Sequence, residues 1–109
     1  MSTLSRCLAI GVLALGAAGH SAWGVEGGDP DKGLGLAQEV CAECHAIEKG
    51  DDVSPTALAP TFEAIATTRG MTPTSLGLLL RTPHETMPNL VLSPDELVDV
   101  IAYILSLRE

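Results

Sequence analysis

Cys41-Ala42-Glu43-Cys44-His45 is the stretch of this 109-residue chain that decides its fold. Two cysteines separated by two residues and followed at once by a histidine have the spacing that covalent attachment of a c-type haem requires. Each thiol can form a thioether with one haem vinyl group, and the histidine can then bind the iron from one face. We therefore expect one covalently bound haem c, attached through Cys41 and Cys44, with His45 as an axial ligand of the iron.

The first 24 residues are typical of a secretory signal peptide. Arg6 supplies a positive charge, an uncharged run follows from 7 to 18, and Ala22-Trp23-Gly24 places small residues where a signal peptidase cuts. The uncharged run is shorter than the roughly 20 residues that span a membrane, so an uncleaved signal would be a weak anchor. We expect a signal peptide at 1–24 and a periplasmic, mature domain at 25–109.

The mature chain is small and acidic. Cleavage after Gly24 leaves 109 minus 24, or 85 residues, which is enough for one domain. All 14 acidic residues remain and one of the 6 basic residues is lost, so the net charge becomes 5 minus 14, or -9. This charge argues against nucleic acid or an anionic membrane surface as a partner. It favours redox partners with basic or uncharged docking surfaces, although acidity can also serve solubility alone.

Helix signals predict an all-α chain of about four helices with no strand. Asp29 as N-cap, with Pro30 at the first position, begins a helix that should run to the cysteines. Ser93-Pro94-Asp95-Glu96 forms a capping box at the start of the last helix. Two shorter helices are expected near 61–68 and from Thr72 to about Arg81.

The apolar periodicity of the first and last helices predicts which face of each is buried. In the first helix the buried stripe also carries both thiols, so the haem should lie where the core is. The predicted stripes are Gly33, Leu36, Ala37, Val40, Cys41 and Cys44 in the first helix, and Leu97, Val100, Ile101, Ile104 and Leu105 in the last.

With these residues the chain resembles a class I cytochrome c, one of the small soluble monohaem electron carriers of bacterial periplasms. The resemblance covers nearly all of 29–109. It implies that the first and last helices cross, with Gly33 packed against Tyr103. It also implies that the Pro60 carbonyl accepts a hydrogen bond from His45, which would orient the ring and raise its basicity.

The resemblance further implies a methionine as the second axial ligand, in a loop before the last helix. Met87, followed by Pro88, stands 42 residues after His45 and fits that place. Met71 and His84 are the alternative ligands, and an open iron site is a third possibility.

The sequence is least specific about which side chain contacts the haem propionates. Arg81 is the first candidate donor, with Arg69 and His84 as alternatives. The ring of lysines that steers some cytochromes to acidic partners is absent from this chain.

These expectations together predict an electron-transfer protein that cycles between Fe(III) and Fe(II), and not an enzyme. A dedicated cytochrome c subunit of an exported dehydrogenase complex is the first alternative. A haem enzyme or gas sensor with an open sixth site is the second. A thioredoxin-like thiol site, a zinc site completed by His84 and a chance motif are further alternatives.

Overall fold

Residues 27–82, 86–88 and 90–109, together with Gly16, make up the part of the chain that the computed structural model describes. The rest of the predicted signal sequence, with its cleavage site, and the alternative ligand His84 lie outside it. The described part is helical and contains no strand, which confirms the predicted all-α fold. Its elements are α1 (Pro30–Leu36), which continues as a π-helical turn (Ala37–Cys41), α2 (Phe62–Ala66), α3 (Pro73–Arg81) and α4 (Pro94–Ser106).

The helices begin where local capping chemistry dictates. The Asp29 side chain accepts hydrogen bonds from the main chain at the start of α1. Thr72 and Ser93 each form a capping box, at α3 and α4 respectively. These side chains satisfy main-chain N–H groups that have no partner within the helix. Each of these three helices also has proline at its first position, where the missing N–H costs nothing.

The π-helical turn between α1 and the cysteines departs from the sequence prediction. The Ala42 N–H donates to the Ala37 carbonyl at 2.9 Å, which is a hydrogen bond across five residues instead of four. The additional residue in this turn interrupts the 3.6-residue period of the apolar stripe. Val40 is consequently 39% exposed, and its predicted burial is wrong, whereas Gly33 and Ala37 are buried.

The crossing of α1 over α4 requires a glycine. A Cβ atom at Gly33 would collide with the Asp99 carbonyl oxygen and would lie 2.7 Å from the Tyr103 Cβ. The Asp29 N–H also donates to Asp99 Oδ1 at 2.8 Å, so the start of α1 is tied to the middle of α4. The C-x-x-C-H motif begins at the last residue of the π-helical turn, and this first cysteine, Cys41, packs against the core.

The core is centred on α4, which contributes more buried side chains than any other described element. Leu105, predicted to belong to its buried stripe, is only partly buried. None of the described helices is both long and apolar enough to cross a membrane. The buried apolar residues are Ala37, Ala46, Ile47, Phe62, Ala66, Leu76, Leu97, Val100, Ile101, Tyr103, Ile104 and Leu107.

Candidate haem-binding site

The two thiols and the imidazole of the motif come together at the end of the first helix. Cys41 closes the π-helical turn, and its carbonyl accepts hydrogen bonds from the N–H groups of Cys44 (3.2 Å) and His45 (2.9 Å). Both cysteines are free thiols and are half-buried, as is the histidine. The turn therefore presents two thiols and one imidazole within five consecutive residues.

The electrostatics of Cys41 do not suit a thiol oxidoreductase. Burial raises the pKa of the Cys41 thiol above its ordinary value. A redox-active C-x-x-C cysteine needs the opposite shift, because the thiolate is the nucleophile in disulfide exchange. The environment thus favours a neutral thiol and argues against the thioredoxin-like alternative.

The ring of His45 is held by a main-chain oxygen. Its Nδ1 lies 2.6 Å from the Pro60 carbonyl oxygen. Because a carbonyl only accepts, Nδ1 carries the proton and Nε2 keeps a free lone pair. A histidine in this tautomer can donate that lone pair to a metal ion, and ligand histidines commonly have such a second partner.

Aromatic rings continue from His45 into the core. The ring centroid of Phe62 lies 5.5 Å from that of His45, and the centroid of Tyr103 lies 6.4 Å from that of Phe62. The rings are tilted by 49° and 55°, in the range that aromatic pairs favour over a flat stack. Phe62 is buried and packs directly against the histidine.

The main chain around His45 is anchored by hydrogen bonds that the sequence did not predict. The Ser54 hydroxyl accepts from the Ala46 N–H at 3.0 Å, and the Thr56 N–H donates to the Cys44 carbonyl at 3.1 Å. The Tyr103 hydroxyl donates to the Ile47 carbonyl at 2.6 Å. A serine in a polar loop carries no local signal of burial, so sequence reasoning could not single out Ser54.

The other predicted site residues lie on different segments. Met87 is half-buried in the connection between α3 and α4, and Pro88 after it is exposed. Arg81 is the last residue of α3 and is exposed. The alternative ligand Met71 packs against the core, and its sulfur lies 3.5 Å from the Ser75 hydroxyl, which can donate to it.

A zinc site finds no support in the described residues. No group of three or more His, Cys, Asp or Glu side chains within 27–82, 86–88 and 90–109 could hold a metal ion together. Completion of such a site would require His84, which is outside that part of the chain.

Comparisons with known proteins agree with the motif. The family model described as Cytochrome c matches residues 30–108, a range that includes the motif and Met87. Cytochrome c-552 of Bradyrhizobium diazoefficiens is 36% identical over 97 residues, which is 89% of this chain and 89% of that protein. No solved structure gives a significant match.

Proposed function

Because this chain belongs to the cytochrome c family, we propose that it is an exported electron carrier whose haem iron is bound between His45 and Met87. Family membership makes it a small electron-transfer cytochrome with covalently bound haem c and with redox partners. We propose in addition which residues attach the haem, which two residues bind the iron, and that the protein is periplasmic.

The hydrogen bond between His45 Nδ1 and the Pro60 carbonyl, at 2.6 Å, is the observation that carries this proposal. It leaves Nε2 as the nitrogen available to iron and limits rotation of the ring. It also makes the imidazole a more basic ligand, which stabilises the ferric state relative to a ring without that bond.

Cys41 and Cys44 are the proposed attachment residues, and both are free thiols as the chemistry requires. Each thiol would hold the haem by adding across one vinyl group, with a carbon–sulfur bond formed and the thiol hydrogen taken up by the neighbouring vinyl carbon. No group leaves and no oxidant is consumed. Cys41 and Cys44 would thus hold the cofactor through two thioethers.

The bound haem supplies reversible one-electron transfer between Fe(III) and Fe(II). With His45 and Met87 as the two residues that would hold the iron, no position would be left for a substrate, which favours electron transfer over catalysis. The soft methionine thioether raises the reduction potential relative to a second imidazole. The acidic character of the chain opposes this effect, because it stabilises the more positive ferric state.

Met87 is preferred to Met71 for a structural reason. The Met71 sulfur is in contact with the Ser75 hydroxyl, and the side chain packs against the core. Met87 lies half-buried between α3 and α4 and is followed by proline, which disfavours a helix at that point. We assign Arg81, exposed at the end of α3, to contact with a haem propionate.

A dedicated subunit of an exported dehydrogenase is the second candidate function. A permanent subunit needs an exposed apolar surface, and two leucines of α3 are exposed. Leu78 is 66% exposed and Leu79 is 42% exposed. Gel filtration of the purified protein with and without its redox partner distinguishes a stable complex from a diffusing carrier with a basic or uncharged docking surface.

Replacement of each methionine in the haem-loaded protein tests the axial ligand. We expect the oxidised wild-type protein to be low-spin and the reduced protein to bind carbon monoxide slowly. Met87→Ala should convert the oxidised protein to high-spin iron and accelerate carbon monoxide binding. Met71→Ala is the matched control and should change stability but not spin state. A high-spin wild-type protein that is unaffected by Met87→Ala would refute the carrier and support a haem enzyme or gas sensor.

A further inference from the structure

Ser54 is a buried residue in an otherwise exposed loop. Its side chain is 8% exposed, whereas every other residue from 51 to 58 is exposed. The Ser54 hydroxyl accepts a hydrogen bond from the Ala46 N–H at 3.0 Å. A buried hydroxyl is costly unless it has a hydrogen-bond partner, so its placement needs a reason.

The peptide groups on both sides of His45 are held by this loop. The peptide group that follows His45 contains the Ala46 N–H, which donates a hydrogen bond to the Ser54 hydroxyl. The peptide group that precedes His45 contains the Cys44 carbonyl, to which the Thr56 N–H donates at 3.1 Å. Two fixed peptide planes restrict the φ and ψ angles of the residue between them, and therefore the direction of its Cα–Cβ bond.

The imidazole itself is held from the same part of the chain. His45 Nδ1 donates to the Pro60 carbonyl at 2.6 Å, six residues after Ser54. The main-chain hydrogen bonds determine the direction of the His45 Cα–Cβ bond. The hydrogen bond to Pro60 determines the rotation of the imidazole ring. Loss of either should change the direction of Nε2.

We propose that Ser54 is a positioning residue for the haem ligand, acting through the Ala46 N–H to hold the backbone of His45 in the orientation that supports the bond to Pro60. The proposal rests on the proposed role of His45 as an axial ligand. Without the Ser54 hydroxyl the histidine backbone relaxes and the bond from Nδ1 to Pro60 weakens. A weaker bond makes the ring a less basic ligand, so the ferric state loses stabilisation and the reduction potential rises.

The test uses the haem-loaded protein with Ser54→Ala and two companion variants. We expect Ser54→Ala to raise the reduction potential, to displace the paramagnetically shifted ring resonances of His45 and to speed exchange of the Nδ1 proton at least tenfold. Ser54→Thr retains the hydroxyl and should restore the wild-type values in large part. Thr56→Ala is the matched control, because Thr56 contributes its main-chain N–H and its exposed side chain is dispensable.

The outcomes separate this inference from the proposed function. If Ser54→Ala lowers the unfolding temperature but leaves the potential, the ring resonances and the Nδ1 exchange unchanged, Ser54 is structural and the inference is wrong. If the wild-type protein has no paramagnetically shifted His45 ring resonances, the assignment of His45 as ligand fails first.

Hydrogen exchange in the wild-type protein gives a second test if Ser54→Ala does not fold. We expect the Ala46 amide and the His45 Nδ1 proton to exchange through a common opening, with the same dependence on denaturant. Exchange of the Nδ1 proton more than tenfold faster than that of the Ala46 amide, and insensitive to denaturant, would overturn the proposal.

Discussion

The phenolic hydroxyl of Tyr103 donates a 2.6 Å hydrogen bond to the main-chain carbonyl of Ile47. This contact joins the last helix to the segment that follows the C-x-x-C-H motif, across 56 residues of sequence. The same tyrosine packs at the crossing of α1 and α4, beside Gly33. One side chain therefore links the helix crossing to the backbone that carries His45.

Tyr103→Phe tests the energetic contribution of that hydrogen bond. The substitution keeps the ring against Phe62 but leaves the Ile47 carbonyl without its partner in a buried position. We expect the free energy of unfolding to fall by about 1–3 kcal/mol. Denaturant titration at neutral pH measures the change, and an unaltered midpoint would show that solvent replaces the tyrosine hydroxyl.

The stability of the protein should decrease at alkaline pH because of Tyr103. Burial raises the pKa of its hydroxyl above the ordinary value, and the negative charges of Glu48 and Asp51 raise it further. The unfolded chain loses this proton near pH 10, whereas the folded protein retains it to higher pH. The resulting contribution of Tyr103 to the free energy of unfolding is complete below about pH 10. It disappears as the pH rises through the pKa of Tyr103 in the folded protein.

The pH dependence of Tyr103→Phe is the check on this assignment. The variant should be less stable at neutral pH but should lose less stability between about pH 9 and pH 11 than the wild type. If the free energy of unfolding falls equally with pH in the two proteins over that range, groups other than Tyr103 cause the loss of stability at alkaline pH.

Gly33→Ala and Gly35→Ala should have opposite effects although they lie in the same helix. A Cβ at Gly33 meets the main chain of Asp99 and lies 2.7 Å from the Tyr103 Cβ, so α1 and α4 must separate. We expect the free energy of unfolding of Gly33→Ala to fall by about 3 kcal/mol or more. A Cβ at Gly35 meets nothing within 4 Å, and alanine there should stabilise the helix by about 0.5–1 kcal/mol. Thermal unfolding of both variants measures this contrast.

Pro60→Ala should preserve the orientation of His45. The contact at 2.6 Å uses the main-chain carbonyl, which alanine retains. We expect the free energy of unfolding to fall by about 0.4–1 kcal/mol, because the unfolded chain has greater conformational freedom without the proline. The reduction potential should be unchanged. Potentiometry of the haem-loaded variant provides the measurement, and a marked change in potential would show that the proline ring itself is needed to place the carbonyl.

Local signals explain why the helix boundaries could be predicted. Asp29, Thr72 and Ser93 cap helices through residues two or three positions away, so the information lies within one turn of sequence. The π-helical turn before Cys41 could not be predicted, because no local signal in this sequence marks a hydrogen bond across five residues. The exposure of Val40 follows from that turn.

The candidate attachment motif could be recognised in the sequence, whereas the contacts that support it could not. Cys41, Cys44 and His45 form a contiguous motif, and the position of Pro60 came from resemblance to a known family. The contacts of Ser54 and Tyr103 connect residues that are 8 and 56 positions apart, and only the folded chain brings them together. The haem contacts assigned to Cys41, Cys44, His45, Met87 and Arg81 all remain predictions.

The intact mass and visible spectra of the exported protein test the central claim most directly. Covalent attachment through Cys41 and Cys44, with His45 and Met87 as ligands, predicts the mass of residues 25–109 plus one haem, retained after denaturation. It also predicts low-spin spectra in both oxidation states. A denatured chain of haem-free mass, with both cysteines open to alkylation, would contradict the account, as would high-spin iron in the native oxidised protein.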